Sequence, residues 1–125
     1  MNALASASIG IGAILGFVAV TFGAFGAHAL RSRLSPEMLA IWKTANEYHF
    51  YHALALVLVG VCARHAKIPG LDIAAGCFLA GVVVFSGSLY LLALTETRWL
   101  GAITPIGGLL FLAGWAWFAW AAMRA

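Results

Sequence analysis

Four long apolar windows, at residues 6–30, 47–63, 73–95 and 100–123, are separated by polar turns of only a few residues. A hydrocarbon core of ~30 Å takes roughly 20 helical residues at 1.5 Å rise each, with about 17 as the lower bound, so every window is long enough to cross a bilayer. Composition agrees. A soluble domain is about half apolar and a quarter charged, whereas this chain is 64% hydrophobic and 9% charged. The sequence therefore predicts a single integral membrane domain over residues 1–125, all-α, with helices at about 6–30, 36–65, 72–95 and 100–123. Short connections make consecutive helices antiparallel neighbours, which gives an up-down-up-down four-helix bundle with both termini on one side. Orientation stays open, because Arg64, Lys67 and Arg124 on the side of the termini nearly balance Arg31, Arg33, Lys43 and Arg98 on the other. The net charge of +3 sits at helix ends and forms no stripe, which argues against nucleic acid as a partner. The partner the pattern demands is the lipid bilayer.

Within the helices the informative residues are small ones. Gly12 and Gly16, then Ala19, Gly23 and Ala27, recur one turn apart on the first helix, and Gly26 joins them in the stretch FGAFGAHAL, residues 22–30. Gly76, Ala80 and Gly87 make a similar stripe on the third helix, and Gly107 and Gly114 lie two turns apart on the fourth. In lipid, helices associate through close packing and hydrogen bonds, so these stripes are predicted packing faces, within one chain or between copies in a homo-oligomer. Ser35-Pro36-Glu37 has the chemistry of a helix start: a capping oxygen, a proline where no amide hydrogen is needed, and an acid at the positive dipole end. Thr104-Pro105 reads as a second such start, Pro69-Gly70 as a turn, and Trp115, Trp117 and Trp120 as an aromatic belt. Cys62 and Cys77 lack C-x-x-C spacing and read as packed thiols. Ala27-His28-Ala29 has the form of a signal-peptidase site, but residues 1–8 carry no Lys or Arg and the apolar run exceeds a signal core, so the first helix is read as a retained span.

Antiparallel packing would bring the end of the first helix, the start of the second, the end of the third and the start of the fourth into one leaflet. His28, His52, Tyr90 and Thr104 each lie three to six residues inside the nearest charged residue, at depths of about 5–9 Å, with Ser86 and Ser88 somewhat deeper. Polar groups at membrane depth are costly, and a functional site is their default reading. The leading reading here is a structural lock: His28, His52, Tyr90 and a serine of the third helix in one hydrogen-bonded network, with His49 and Tyr51 left to the interfacial belt. A haem or metal site using His28 with His49 or His52 is one alternative. It has no H-E-x-x-H motif behind it, and no metal ligand is assigned. A small-multidrug-type transporter is another, but it needs an intramembrane carboxylate, and Glu47, Asp72 and Glu96 all fall at span ends. For an enzyme, only Ser86 or Ser88 with His52 across helices could supply a nucleophile and base. The expected function is thus non-enzymatic, structural or interaction and ligand binding, with no cofactor motif in the chain and no catalytic residue assigned.

The segments GAFGAHAL (residues 23–30), Trp42-x-x-Ala45 continuing through Tyr48 to His52-Ala53-Leu54-Ala55, FSGSLYLLALT (residues 85–95) and TPIGG (residues 104–108) closely resemble the domain of unknown function 423 family of small bacterial membrane proteins. The eukaryotic transmembrane protein 256 looks similar. The motifs come in the same order over nearly the whole chain. The resemblance implies an integral protein of the bacterial cytoplasmic membrane with four helices and no assigned activity. It maps the family's motif residues onto Gly23, Gly26, His28, His52, Ser86, Gly87, Ser88, Tyr90, Thr104, Pro105 and Gly107.

Overall fold

Four helices account for nearly all regular structure in the computed structural model, which describes residues 2–125; Met1, the first residue of the expected domain, lies outside the described residues. They are α1 (Ala3–Leu30), α2 (Pro36–His65), α3 (Leu71–Thr95) and α4 (Thr104–Arg124), the last preceded by a 3-10 turn at Arg98–Ala102. Three helical segments, α1, α3 and Arg98–Arg124, are long and apolar enough to cross a membrane. Helix α2 is longer still, at 30 residues, or ~45 Å. Its first turns, however, carry the exposed charges Glu37, Lys43 and Glu47.

Local chemistry sets most of the helix ends. The Ser35 hydroxyl accepts from the Met38 N–H at 3.2 Å and Pro36 fills the first helical position of α2. The turn into α3 needs a left-handed residue, supplied by Gly70 at φ 98°, and any Cβ there would also strike Trp117. At the other end of the molecule Arg98 pairs with Glu37 at 3.2 Å, tying the turn before α4 to the start of α2. Thr104 differs from its expected role as a cap. It is already helical, and its hydroxyl turns back to the Leu100 carbonyl at 3.3 Å, because the 3-10 turn delivers the chain into α4 without a break.

Contacts between α1 and α2 run in opposite directions along the two helices. Gly60 meets Ala5 and Ile9, Gly12 meets Ala53 and Val57, Gly23 meets Asn46, and Gly26 meets Trp42. The same holds for α3 and α4, where Gly114 faces Phe78, Gly81 faces Phe111 and Gly107 faces Phe85. At Gly107 the approach is backbone to backbone, and a Cβ would fall inside the Phe85 main chain. Lipid tails are as apolar as leucine, so these faces gain from dispersion at close range more than from the hydrophobic effect. Gly16 and Gly87 have nothing within 4 Å of where a Cβ would sit. The buried seam of α1 runs Ala5, Ser8, Gly12, Ala19 and on to Gly23 and Gly26, in steps of three, four and, between Gly12 and Ala19, seven, and Gly16 meets no neighbour.

Near the termini Ala5, Leu56, Val59, Leu71, Phe78 and Ala121 share one apolar cluster. There the Asn2 side chain accepts from the Ala5 N–H at 3.1 Å and donates to the Ala63 carbonyl, joining the start of α1 to the end of α2.

Candidate functional site

The buried face of α2 steps through Met38, Trp42, Ala45, His49, His52, Leu56 and Val59 at intervals of three or four, so its polar residues are carried inward by the periodicity that buries the apolar ones. Opposite this face, α1 and α3 each contain a π-helical stretch, Thr21–Gly26 and Val82–Ser86. Such wider turns interrupt the regular i→i+4 ladder and frequently mark functional positions. Side chains of α2 meet the backbone at the first of them. Asn46 Nδ2 donates to the Ala19 carbonyl at 2.8 Å, and Trp42 Nε1 donates to the Phe22 carbonyl at 3.0 Å.

From Asn46 the bonding continues to α3. Its Nδ2 also donates to Tyr90 Oη at 3.2 Å, and Tyr90 Oη lies 2.9 Å from His49 Nδ1. Asn46 donates to the Tyr90 oxygen, and the bond between Tyr90 Oη and His49 Nδ1 runs in the direction the imidazole tautomer sets; the other ring nitrogen is Nε2. This Nε2 is buried without a hydrogen-bond partner among the described residues, and the Leu15 backbone lies beside it. The rings of Phe22, Trp42 and Tyr90 pack around the chain of bonds with centroids 4.6 to 5.6 Å apart. Three helices, α1, α2 and α3, are thereby tied at one level.

His52 forms a separate group, and its tautomer is fixed by its partners. Trp115 Nε1 donates to His52 Nε2 at 2.9 Å. Indole is only a donor, so Nε2 must offer its lone pair and the proton is on Nδ1, 2.8 Å from the Tyr48 carbonyl. Phe111 stacks on the ring at 3.6 Å. Ser86 is fully buried and donates to the Ala45 carbonyl at 2.7 Å. Ser88 and Thr104 share a hydrogen bond at 2.6 Å between α3 and α4.

The polar side chains marked in the sequence are thus placed as follows. Tyr90 joins His49 and Asn46; Ser88 joins Thr104; His52 goes to Trp115; Ser86 goes to a main-chain carbonyl. His28 is exposed and takes part in none of these bonds, since it sits on α1 just past Gly26 and off the buried seam. His49, read from sequence as a belt residue, is 3% exposed, while Tyr51 is 55% exposed. Asn46, Trp42 and Trp115 are not among the site residues expected from sequence, where His49 enters only as a belt residue or an alternative metal ligand. The polarity of the stretch from Trp42 to Tyr48 suits an interfacial turn, whereas the four-then-three spacing of Trp42, Asn46 and His49 matches the buried seam.

Chemically the arrangement is a clamp. Neither serine is bonded to a histidine, and among the described residues no three His, Cys, Asp or Glu side chains cluster closely enough to hold a metal ion. Cys62 and Cys77 are free thiols. Two clefts open between helices. One of about 620 Å³ is lined by Phe22, Trp42, Ser88 and Tyr90 among others. A second, of about 530 Å³, has Tyr48, His52, Phe111 and Trp115 in its walls.

The family model described as "Protein of unknown function (DUF423)" matches residues 22–108. A UPF0382 membrane protein of Staphylococcus haemolyticus is 50% identical over 84% of this chain and 85% of its own length. One from Staphylococcus epidermidis is 48% identical over the same shares, and the UPF0382 membrane protein YwdK of Bacillus subtilis is 43% identical over 91% of this chain and 94% of its own. No solved structure matches.

Proposed function

The chain belongs to the DUF423 family of membrane proteins of unknown function, and from that premise we propose that it is a non-enzymatic structural or interaction protein of the bacterial cytoplasmic membrane. On this reading all four helices cross the bilayer as an up-down-up-down antiparallel bundle, and the His, Ser, Tyr and Thr side chains form a polar layer in one leaflet that fixes helix register. The observation that carries it is the Asn46–Tyr90–His49 chain, whose hydrogen bonds run between α1, α2 and α3, while neither Ser86 nor Ser88 is bonded to a histidine. A lock of this kind takes its partners from the protein itself, with His49 Nε2 the exception among the buried side-chain atoms of the described residues. Transport chemistry needs groups that exchange partners, and a haem or metal centre needs imidazole lone pairs that face one another. His28 is exposed, and the His52 lone pair is taken by Trp115.

Two measurements test the reading. Protein purified from its own host membranes is expected to be colourless and metal-free; a Soret band or stoichiometric metal lost in His28→Ala and His52→Ala would overturn it in favour of a cofactor. Cysteines engineered at Asn2 and Ala125 are expected to label from the same face of the membrane. Labelling from opposite faces would contradict an even number of crossings.

A further inference from the structure

A cleft of about 160 Å³ opens where the end of α1 meets the first turns of α2, between Gly23, Ala27, Trp42, Lys43, Asn46 and Glu47. We propose that it binds the headgroup of a zwitterionic phospholipid that carries a primary ammonium, the chemistry of phosphoethanolamine. Its depth suits a headgroup. Helix α1 runs for 28 residues, or ~42 Å against ~30 Å of hydrocarbon, so its last turns stand in the headgroup layer. The lock described above uses Asn46 Nδ2, whereas this cleft would use Asn46 Oδ1 and two charges that the lock leaves alone, so the two readings stand or fall separately.

Three observations select the ligand. First, an acceptor is unspent. The Ala19 carbonyl can only accept, so Asn46 presents its NH2 there, and Oδ1 turns toward Gly23, 2.5 Å from where a Cβ would sit. Among the described residues nothing donates to Oδ1, and it is not sealed in the interior. Trp42 adds only a ring wall, because its N–H is spent on the Phe22 carbonyl. Second, the rim carries one charge of each sign. Lys43 and Glu47 are exposed, and neither pairs with a described residue, the one ion pair among them being Arg98 with Glu37. Four residues apart on a helix, their Cβ atoms lie about 5–6 Å from each other. A ligand whose anion and cation are a few bonds apart meets both, with its phosphate on Lys43 and its ammonium on Glu47. Third, the acceptors outnumber what other headgroups can serve. A primary ammonium has three N–H groups and reaches Glu47 and Oδ1 together, whereas a quaternary ammonium has none to give and a net anionic headgroup is repelled by Glu47.

The discrimination between headgroups supplies the test. Full-length protein is reconstituted in an equimolar mixture of phosphatidylethanolamine, phosphatidylcholine and phosphatidylglycerol with identical chains, and the lipids it retains are measured by native mass spectrometry. Wild type is expected to retain phosphatidylethanolamine over phosphatidylcholine by at least about fivefold, the worth of one net hydrogen bond. Glu47→Gln keeps the size of the side chain and touches no bond of the lock, and it is expected to bring that ratio toward equality with unchanged helical circular dichroism. Lys43→Gln is expected to lower retention of both lipids and leave their ratio as it was, since both carry the phosphate. Glycerophosphoethanolamine, the headgroup without chains, is expected not to displace the bound lipid. Equal retention of the two lipids by wild type, or an unchanged ratio in Glu47→Gln, would overturn the site. A preference for phosphatidylglycerol would overturn the zwitterion and leave a basic surface, and displacement by glycerophosphoethanolamine would overturn the bilayer as the source of the ligand.

Discussion

At the end of the molecule that holds both termini, Ala5, Leu56, Val59, Leu71, Phe78 and Ala121 fit together by shape, whereas at the other end Trp42, Asn46, His49, Ser86 and Tyr90 meet across helices through directed hydrogen bonds. In water both ends would be driven together by burial. In lipid the apolar end gains little from exchanging acyl chains for side chains, and a helix could slide there by a turn at small cost. The polar end does not permit that slide, since each bond made by Asn46 and Tyr90 is lost outright by a shift of one residue. On the proposed reading, shape supplies contact at one end and direction fixes register at the other.

The largest expected effect is a break in the shape-fitted contacts. Gly60→Leu would drive a side chain into the Ala5 backbone and Ile9, and Gly107→Leu into the Phe85 backbone. Overpacking typically costs about 1–3 kcal/mol and more where backbone must move, so each variant is expected to lose about 3 kcal/mol or fail to fold. Detergent-denaturation of purified protein followed by circular dichroism reads this directly. A loss below about 1 kcal/mol would mean that the helices part more easily than their spacing implies.

Asn46→Leu comes next. It removes the bonds to Ala19 and Tyr90 together, and with interhelical bonds in membranes worth about 0.6 kcal/mol on average and 1.7 at most, a loss of about 1–2 kcal/mol is expected in the same assay. Ser86→Ala, which deletes a single bond to the Ala45 carbonyl, should cost about 1 kcal/mol. An effect of Ser86→Ala larger than that of Asn46→Leu would shift the centre of the lock from α1 and α2 to α2 and α3.

How far these contacts could be read from the chain depended on what each signal measures. Apolar length and the Ser35-Pro36 cap depend on local chemistry, and they located the helices to within a few residues. Small-residue spacing marks a stripe but not its angle to the neighbour, which is why Gly12, Gly23, Gly26 and Gly107 lie in contacts while Gly16 and Gly87 do not. Depth counted from the nearest charge grouped His28 with His52, yet two residues at equal depth can face opposite ways. The partners of Tyr90 and His52, Asn46 and Trp115, come from helix rotation, a tertiary property that spacing from charged residues does not carry.

The smallest effects follow from the same geometry. His28→Ala, Gly16→Ala and Gly87→Ala touch open space and should leave the stability of a single chain within about 0.5 kcal/mol. A larger change that appears only at high protein concentration would instead place the Gly16 or Gly87 face between copies of the chain.

The claim that direction, not burial, sets register at the polar end is tested most directly by a pair of double-mutant cycles on Tyr90→Phe. Combined with His49→Leu, the loss is expected to fall short of the sum of the singles by at least about 0.5 kcal/mol, because the two side chains share one bond; combined with His52→Leu, whose partner is Trp115, the losses are expected to add within about 0.3 kcal/mol. Additivity in the Tyr90 and His49 cycle, or stronger coupling of Tyr90 to His52 than to His49, would contradict it.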